Sequence, residues 1–167
     1  DFPDEGYFLI APDRSLAVAA QSESTIERKY AERMMRQRLH QPAFRAQVIS
    51  AYETKCAICT LAHGSLLDAA HITPDCEEDS STSVTNGLSL CKIHHTAYDI
   101  NIVGIDPDYK VHIREDILQE VDGPMLEHGI KEMNMRSLWI PPTKSKQPDR
   151  ERLAERFTLF QNQDAPC

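Results

Sequence analysis

Four metal-ligating side chains in two equally spaced pairs restrict the fold of this 167-residue chain more than any other feature. Cys56 and Cys59 are separated by two residues, as are Cys91 and His94, with 31 residues between the pairs. A lone C-x-x-C can be two core residues. A second half-site at the same spacing points instead to a tetrahedral structural zinc held by four protein ligands. Cys91 and His94 also fall one helical turn apart, so both can face the cysteine pair. Such a site leaves no open coordination position, so its metal braces a domain and activates no water.

The same stretch carries His71, Asn86, His95 and Asp99, which a closed zinc does not need. His95 and Asp99 are four residues apart and share a helix face, rotated about 100° from that of His94. One short helix can therefore serve two sites on two sides. His71 closes a strand that packs against this helix, which brings its imidazole toward the second face. A single histidine there is more often a satisfied core residue, but three groups converging on one spot favour chemistry.

The length suits one domain with arms. The boundaries read as 1–23, a linker or the tail of an upstream domain; 24–55, a basic helical arm; 56–115, the metal-bearing core; and 116–167, a C-terminal helical extension. The chain starts at Asp1, and a piece of a longer protein is expected. No apolar run reaches the roughly 18 residues that span a bilayer, and no signal segment is present. A cytoplasmic, bacterial-type intracellular setting without membrane is expected, and the cysteines fit it. Three of the five sit in the clamp, while Cys76 and Cys167 read as free thiols.

A net charge of −8 is awkward for a polyanionic partner, but its distribution is uneven. Residues 24–55 carry seven basic against three acidic side chains, whereas 56–99 carry six acidic residues and one lysine. An acidic centre beside a basic helical arm suits a metal-dependent enzyme acting on a polyanion. Arg36, Arg38 and Arg45 are the candidate nucleic-acid contacts, against the plainer reading of a solvated helix face.

Along the chain, Ile26, Tyr30 and Met34 recur at helical spacing over 24–39, and Pro42 opens a second helix over 43–52 with Phe44, Val48 and Ile49 inward. Residues 56–59 read as a knuckle, 66–73 as a strand ended by Pro74, and 75–85 as a loop. Asn86-Gly87 reads as a turn, 88–90 as a return strand and 92–99 as two turns of helix. A hairpin over 102–113 turns at Asp106-Pro107-Asp108. A helix from Pro124 to about Met135 and another from Asp149, with Leu153, Phe157 and Phe160 on one side, form a tail that packs.

The runs A-A-H-I-T-P, N-G-L-S-L-C and H-H-T-A-Y-D resemble the HNH endonucleases, and the four zinc-type ligands match their zinc-braced subgroup. More narrowly, H-Q-P-A-F-R, L-L-D-A-A-H-I, L-C-K-I-H-H and D-G-P-M-L-E-H-G resemble the C-terminal nuclease part of McrA-like, modification-dependent (type IV) restriction enzymes. The resemblance implies an α+β fold with a small ββα-metal (His-Me finger) core and flanking N- and C-terminal helices. It implies that His71 is the general base, that Asn86 fixes the loop which aims it, and that His95 binds one catalytic divalent ion with Asp99. That ion would be Mg²⁺ or Mn²⁺, or Ni²⁺ or Co²⁺. Many relatives carry another ligand just before the base, where this chain has Ala70; Asp68, two residues earlier on the same strand face, is the candidate substitute.

A neutral His71 is required for such a reaction, so activity is expected to fall below about pH 6. The implied partners are DNA, a second copy of the chain, and an upstream modification-sensing domain. The competing readings are a non-catalytic zinc module that binds nucleic acid or protein, and an HNH nuclease acting on other nucleic acid.

Overall fold

The computed structural model describes residues 41–74 and 82–163. Chain contacts divide the protein between residues 39 and 40, and everything described lies in the second unit. The expected helix over 24–39, with Arg36 and Arg38, and both Cys76 and Cys167 lie outside the described residues.

Residues 41–51, the described part of helix α1, are helical. Phe44 and Val48, one turn apart, are buried, and burial of such side chains stabilises the fold by about 1.5–3 kcal/mol each. The helix ends as Glu53 and Thr54 turn left-handed, at φ 50° and 55°, and Thr54 N–H bonds back to the Ile49 carbonyl. This reversal delivers the chain to Cys56.

Strands β1 (Leu67–His71) and β2 (Gly87–Cys91) pair antiparallel, with Leu67 opposite Cys91 and His71 opposite Gly87. Helix α2 (Lys92–Asp99) follows β2 with no linker, so Cys91 is both the last strand residue and the helix N-cap. Strand, loop, strand and helix come in the expected order, and α2 has the expected bounds.

Gly87 differs from expectation. At φ −127° it is extended strand, not the left-handed half of an Asn-Gly turn; a single 3-10 turn, Val84–Asn86, does the turning. Glycine is needed there for close approach, because a Cβ would collide with Val48 Cγ2 and lie 2.9 Å from Phe44 Cζ.

Strands β3 (Val103–Ile105) and β4 (Val111–Ile113) form the expected hairpin. Asp106 Oδ1 accepts from the N–H groups of Asp108 and Lys110, both at 2.9 Å, which shapes the turn. A short helix not read from the sequence follows, α3 (Glu115–Gln119).

The single helix expected from Pro124 to about Met135 is broken. Helix α4 (Pro124–Gly129) stops, Ile130 leaves helical geometry, and a 3-10 turn covers Lys131–Met133. Met133 N–H bonds to the Ile130 carbonyl, so the Gly129 carbonyl is free of the helical ladder and accepts a bond from His94 instead.

Helix α5 (Arg150–Asn162) starts as expected, its N-cap Asp149 accepting from the N–H groups of Glu151 and Arg152. Leu153 is fully buried, and Phe160 seats on β3 where Gly104 offers no side chain; a Cβ there would stand 2.5 Å from its ring. No described helix is long and apolar enough to cross a membrane. Gly104→Ala is expected to destabilise the protein by about 1–3 kcal/mol through overpacking, read as a lower urea midpoint with an unchanged slope.

Candidate active site and metal centre

The two half-sites of the clamp come together. The ligand atoms of Cys56, Cys59, Cys91 and His94 all lie within 4.8 Å of one another, and all but the half-buried Cys59 are buried. The knuckle is held by Cys56 N–H to the Leu61 carbonyl and Thr60 N–H to the Cys56 carbonyl, and Ala57 N–H ties it to Ser89 of β2. Thr60 takes a left-handed φ of 60° to close it.

His94 Nδ1 faces Cys91 Sγ at 3.2 Å and Cys56 Sγ at 3.6 Å. Its Nε2–H donates to the Gly129 carbonyl at 2.8 Å, which orients the ring and leaves Nδ1 for the cluster. Burial disfavours a charged His94, yet the sulfurs of Cys56 and Cys91 outweigh it and raise its pKa to about 10. Hydrogen bonds from Cys56 and Cys59 push the Cys91 thiol strongly down. Three sulfurs and one imidazole nitrogen within reach of one another fit a tetrahedral cation.

The surplus groups gather on the other side of α2. His95 is flanked by two carboxylates: Asp68 Oδ2 lies 3.7 Å from Nδ1, and Asp99 Oδ2 lies 3.4 Å from Nε2. Burial raises the Asp99 pKa above the ordinary carboxylate value, His95, Arg156 and His71 pull against that, and the Asp68 charge adds to it. The charges of Asp68, His71, His95 and Asp99 are thus near enough to act on one group. A carboxylate stands at each ring nitrogen, and the Asp99 side chain is 56% exposed, so the His95–Asp99 pair is open to solvent. This leaves room for substrate oxygens and water around an ion at Nε2 and Asp99, as a hard divalent cation requires.

Asp68 is engaged by cations. Lys92 Nζ donates to Oδ2 at 2.6 Å, and Arg45 Nε lies 3.4 Å from Oδ1. Burial would raise its pKa, but the Lys92 and Ala69 hydrogen bonds and the nearby charges lower it overall. Arg45 is committed to the protein as well, donating to the carbonyls of Leu67 at 2.7 Å and Gly64 at 3.2 Å.

His71, at the end of β1, is stacked on Phe44 of α1, with ring centroids 4.2 Å apart and planes 12° from parallel. Asn86 is fully buried beyond it. Its Oδ1 accepts from Thr73 N–H at 2.8 Å, its Nδ2 donates to the Thr73 carbonyl at 3.3 Å, and its own carbonyl accepts from Ile72 N–H at 2.9 Å. The two residues after His71 are thereby fastened to the loop. Phe44 and Lys92 were legible only as a core residue and a surface charge, since nothing in their spacing names a partner.

Residues 56–106 match the family model HNH_2, HNH endonuclease. Among solved structures, a modification dependent TagI restriction endonuclease aligns at 19% identity with a TM-score of 0.50. The alignment covers 68% of this chain and 36% of that one, so the present chain spans about a third of that protein's length. No curated protein was found to match. The matched segment carries the paired half-sites, the ββα core and the histidine-bearing strand and helix, and in this it is similar to the HNH endonucleases, nucleases that hydrolyse phosphodiester bonds.

Two outcomes follow. Cys91→Ser is expected to lose the metal bound at the clamp and its cooperative unfolding transition, measured by elemental analysis and circular dichroism. Because the folded-state pKa of Asp68 is depressed, its ion pairs stabilise the protein above the unfolded carboxylate value and lose that effect as pH falls through the folded value. The stability gap between wild type and Asp68→Asn is therefore expected to be full above about pH 4 and to shrink below it, in urea titrations at stepped pH.

Proposed function

We propose that this chain is the DNA-cleaving module of a modification-dependent restriction enzyme, with His71 as general base and His95 and Asp99 as the ligands of one catalytic divalent ion. The observation that carries the reading is the stacked, loop-fastened imidazole of His71 beside the open His95–Asp99 pair, on the side of α2 away from the clamp. The TagI enzyme's printed name supports the restriction role.

A phosphodiester repels nucleophiles and has a poor leaving group. His71 takes the proton from the attacking water, and Phe44 keeps its ring from rotating away. Asn86 pins the Ile72–Thr73 peptides and so aims the strand end that carries the base. His95 and Asp99 would hold Mg²⁺ or Mn²⁺, which when bound supplies charge stabilisation at the phosphate and the departing oxygen. Asp68 lies at the other nitrogen of His95, where a carboxylate orients a ligating imidazole. In this reading it replaces the ligand missing at Ala70 indirectly, through His95. The clamp holds zinc, on the strength of its donor set.

One such site cuts one strand, so a double-strand break takes a homodimer or two successive nicks. Arg36 and Arg38 remain proposed contacts to the DNA backbone, whereas Arg45 acts on the β1 entrance and Asp68.

His71→Ala is expected to abolish plasmid nicking in Mg²⁺ or Mn²⁺ while leaving zinc content and circular dichroism intact; a variant that still cuts overturns the assignment. Asn86→Ala is expected to lose both rate and about 1–3 kcal/mol of stability, because Thr73 N–H is left buried and unpaired. Offering modified DNA, unmodified DNA and RNA side by side tests the substrate, and preferred cleavage of RNA sinks the restriction reading.

A further inference from the structure

Helix α5 lies outside the segment that matches the nuclease family, yet two of its arginines reach into both halves of the site. Arg156 is buried and donates through Nη1 to Asn101 Oδ1 and through Nη2 to the Tyr98 carbonyl, both at 2.6 Å. Its guanidinium also stacks over the Tyr98 ring, 4.6 Å from the centroid. These contacts close the C-terminal end of α2, where orphan carbonyls and the helix dipole favour a cation. Tyr98 and Asn101 bracket Asp99. One turn earlier, Arg152 donates through Nη1 to the Thr73 hydroxyl at 2.7 Å. Thr73 is the residue whose backbone Asn86 pins, two residues beyond His71.

Arginines four apart share one face of a helix, so a single rigid element touches the end of the base-bearing strand and the end of the metal-bearing helix. The element is itself fixed. Leu153 is fully buried, Phe160 fills the space above Gly104, and Phe157 packs against His112 with centroids 4.8 Å apart. Without such a tie, α2 is an eight-residue helix too short to hold its own last turn.

We infer that α5 is a clamp on the active site, in which Arg156 positions Asp99 for the catalytic ion and Arg152 positions the strand end that carries His71. This rests on the proposed roles of Asp99 and His71. Neither arginine is a catalytic residue; Arg156 acts through the Tyr98 carbonyl and the Asn101 side chain that flank Asp99, and Arg152 through the Thr73 hydroxyl. The two act on different quantities. Arg156 governs the geometry of an ion ligand, and Arg152 governs the placement of the base.

The test uses the full chain and compares Arg156→Lys, Asn101→Gly, Arg152→Lys and Asp99→Asn. Asn101 sits at a left-handed φ of 56°, which glycine adopts without strain, so Asn101→Gly removes an acceptor of Arg156 without disturbing the backbone. Mn²⁺ affinity is measured by calorimetry without DNA, with nicking kinetics, zinc content and thermal midpoint alongside. Arg156→Lys and Asn101→Gly are expected to weaken Mn²⁺ binding about tenfold, as losses around a metal ligand do, with zinc content unchanged. Arg152→Lys is expected to lower kcat about tenfold or more at unchanged Mn²⁺ affinity and unchanged KM for DNA. The clamp is overturned if Mn²⁺ affinity in the Arg156→Lys and Asn101→Gly variants and kcat in Arg152→Lys all match wild type, or if every loss simply follows the thermal midpoint. If Asp99→Asn leaves Mn²⁺ affinity unchanged, it is the underlying ligand assignment that fails.

Discussion

Everything in this domain depends on keeping an eight-residue helix in place. A helix of that length has almost no stability of its own in water, yet α2 carries His94 into the metal clamp on one side and His95 with Asp99 on the other. It is held at both ends. At its start, Cys91 and His94 are tied to the knuckle of Cys56 and Cys59. At its finish, Arg156 closes the carbonyl end. The strand pair β1–β2 supplies the surface between these points, buried along all of β2. The domain is a small hydrophobic core whose shape is enforced by a few directed polar and metal-type contacts.

The same economy runs through the reactive side. His71 is kept in place by a ring from α1 and by a loop residue that hydrogen-bonds the peptides beyond it. His95 is framed by one carboxylate on each nitrogen, and one of those carboxylates is in turn balanced by Lys92 and Arg45. Two cations thus face the Asp68 carboxylate, and opposite neighbours are the condition for keeping a partly buried charge there.

Much of this was legible in the residues themselves, for identifiable reasons. The repeated x-x spacing of Cys56/Cys59 and Cys91/His94 encodes its own geometry, because a tetrahedral site and a helical turn leave few ways to bring four ligands together. The bounds of α2 followed from the same argument. Where local rules misled, a distant residue had decided the matter. Asn86-Gly87 has the composition of a turn, but Phe44 and Val48, some forty residues away, are what require the glycine. The segment after Pro124 has a helical pattern, but His94 takes the Gly129 carbonyl and the helix ends there. Arg156 read as one more charge on an amphipathic helix, since spacing along α5 says nothing about the carbonyls it meets.

These long-range contacts bear on what could be moved to another scaffold. The recognisable stretch, 56–106, would travel without the aromatic ring that steadies His71, without the carbonyl that orients His94, and without the guanidinium that ends its central helix. The smallest portable unit is therefore set by Phe44 at one end and Phe160 at the other. In a chimeric nuclease, the junctions belong outside those two residues.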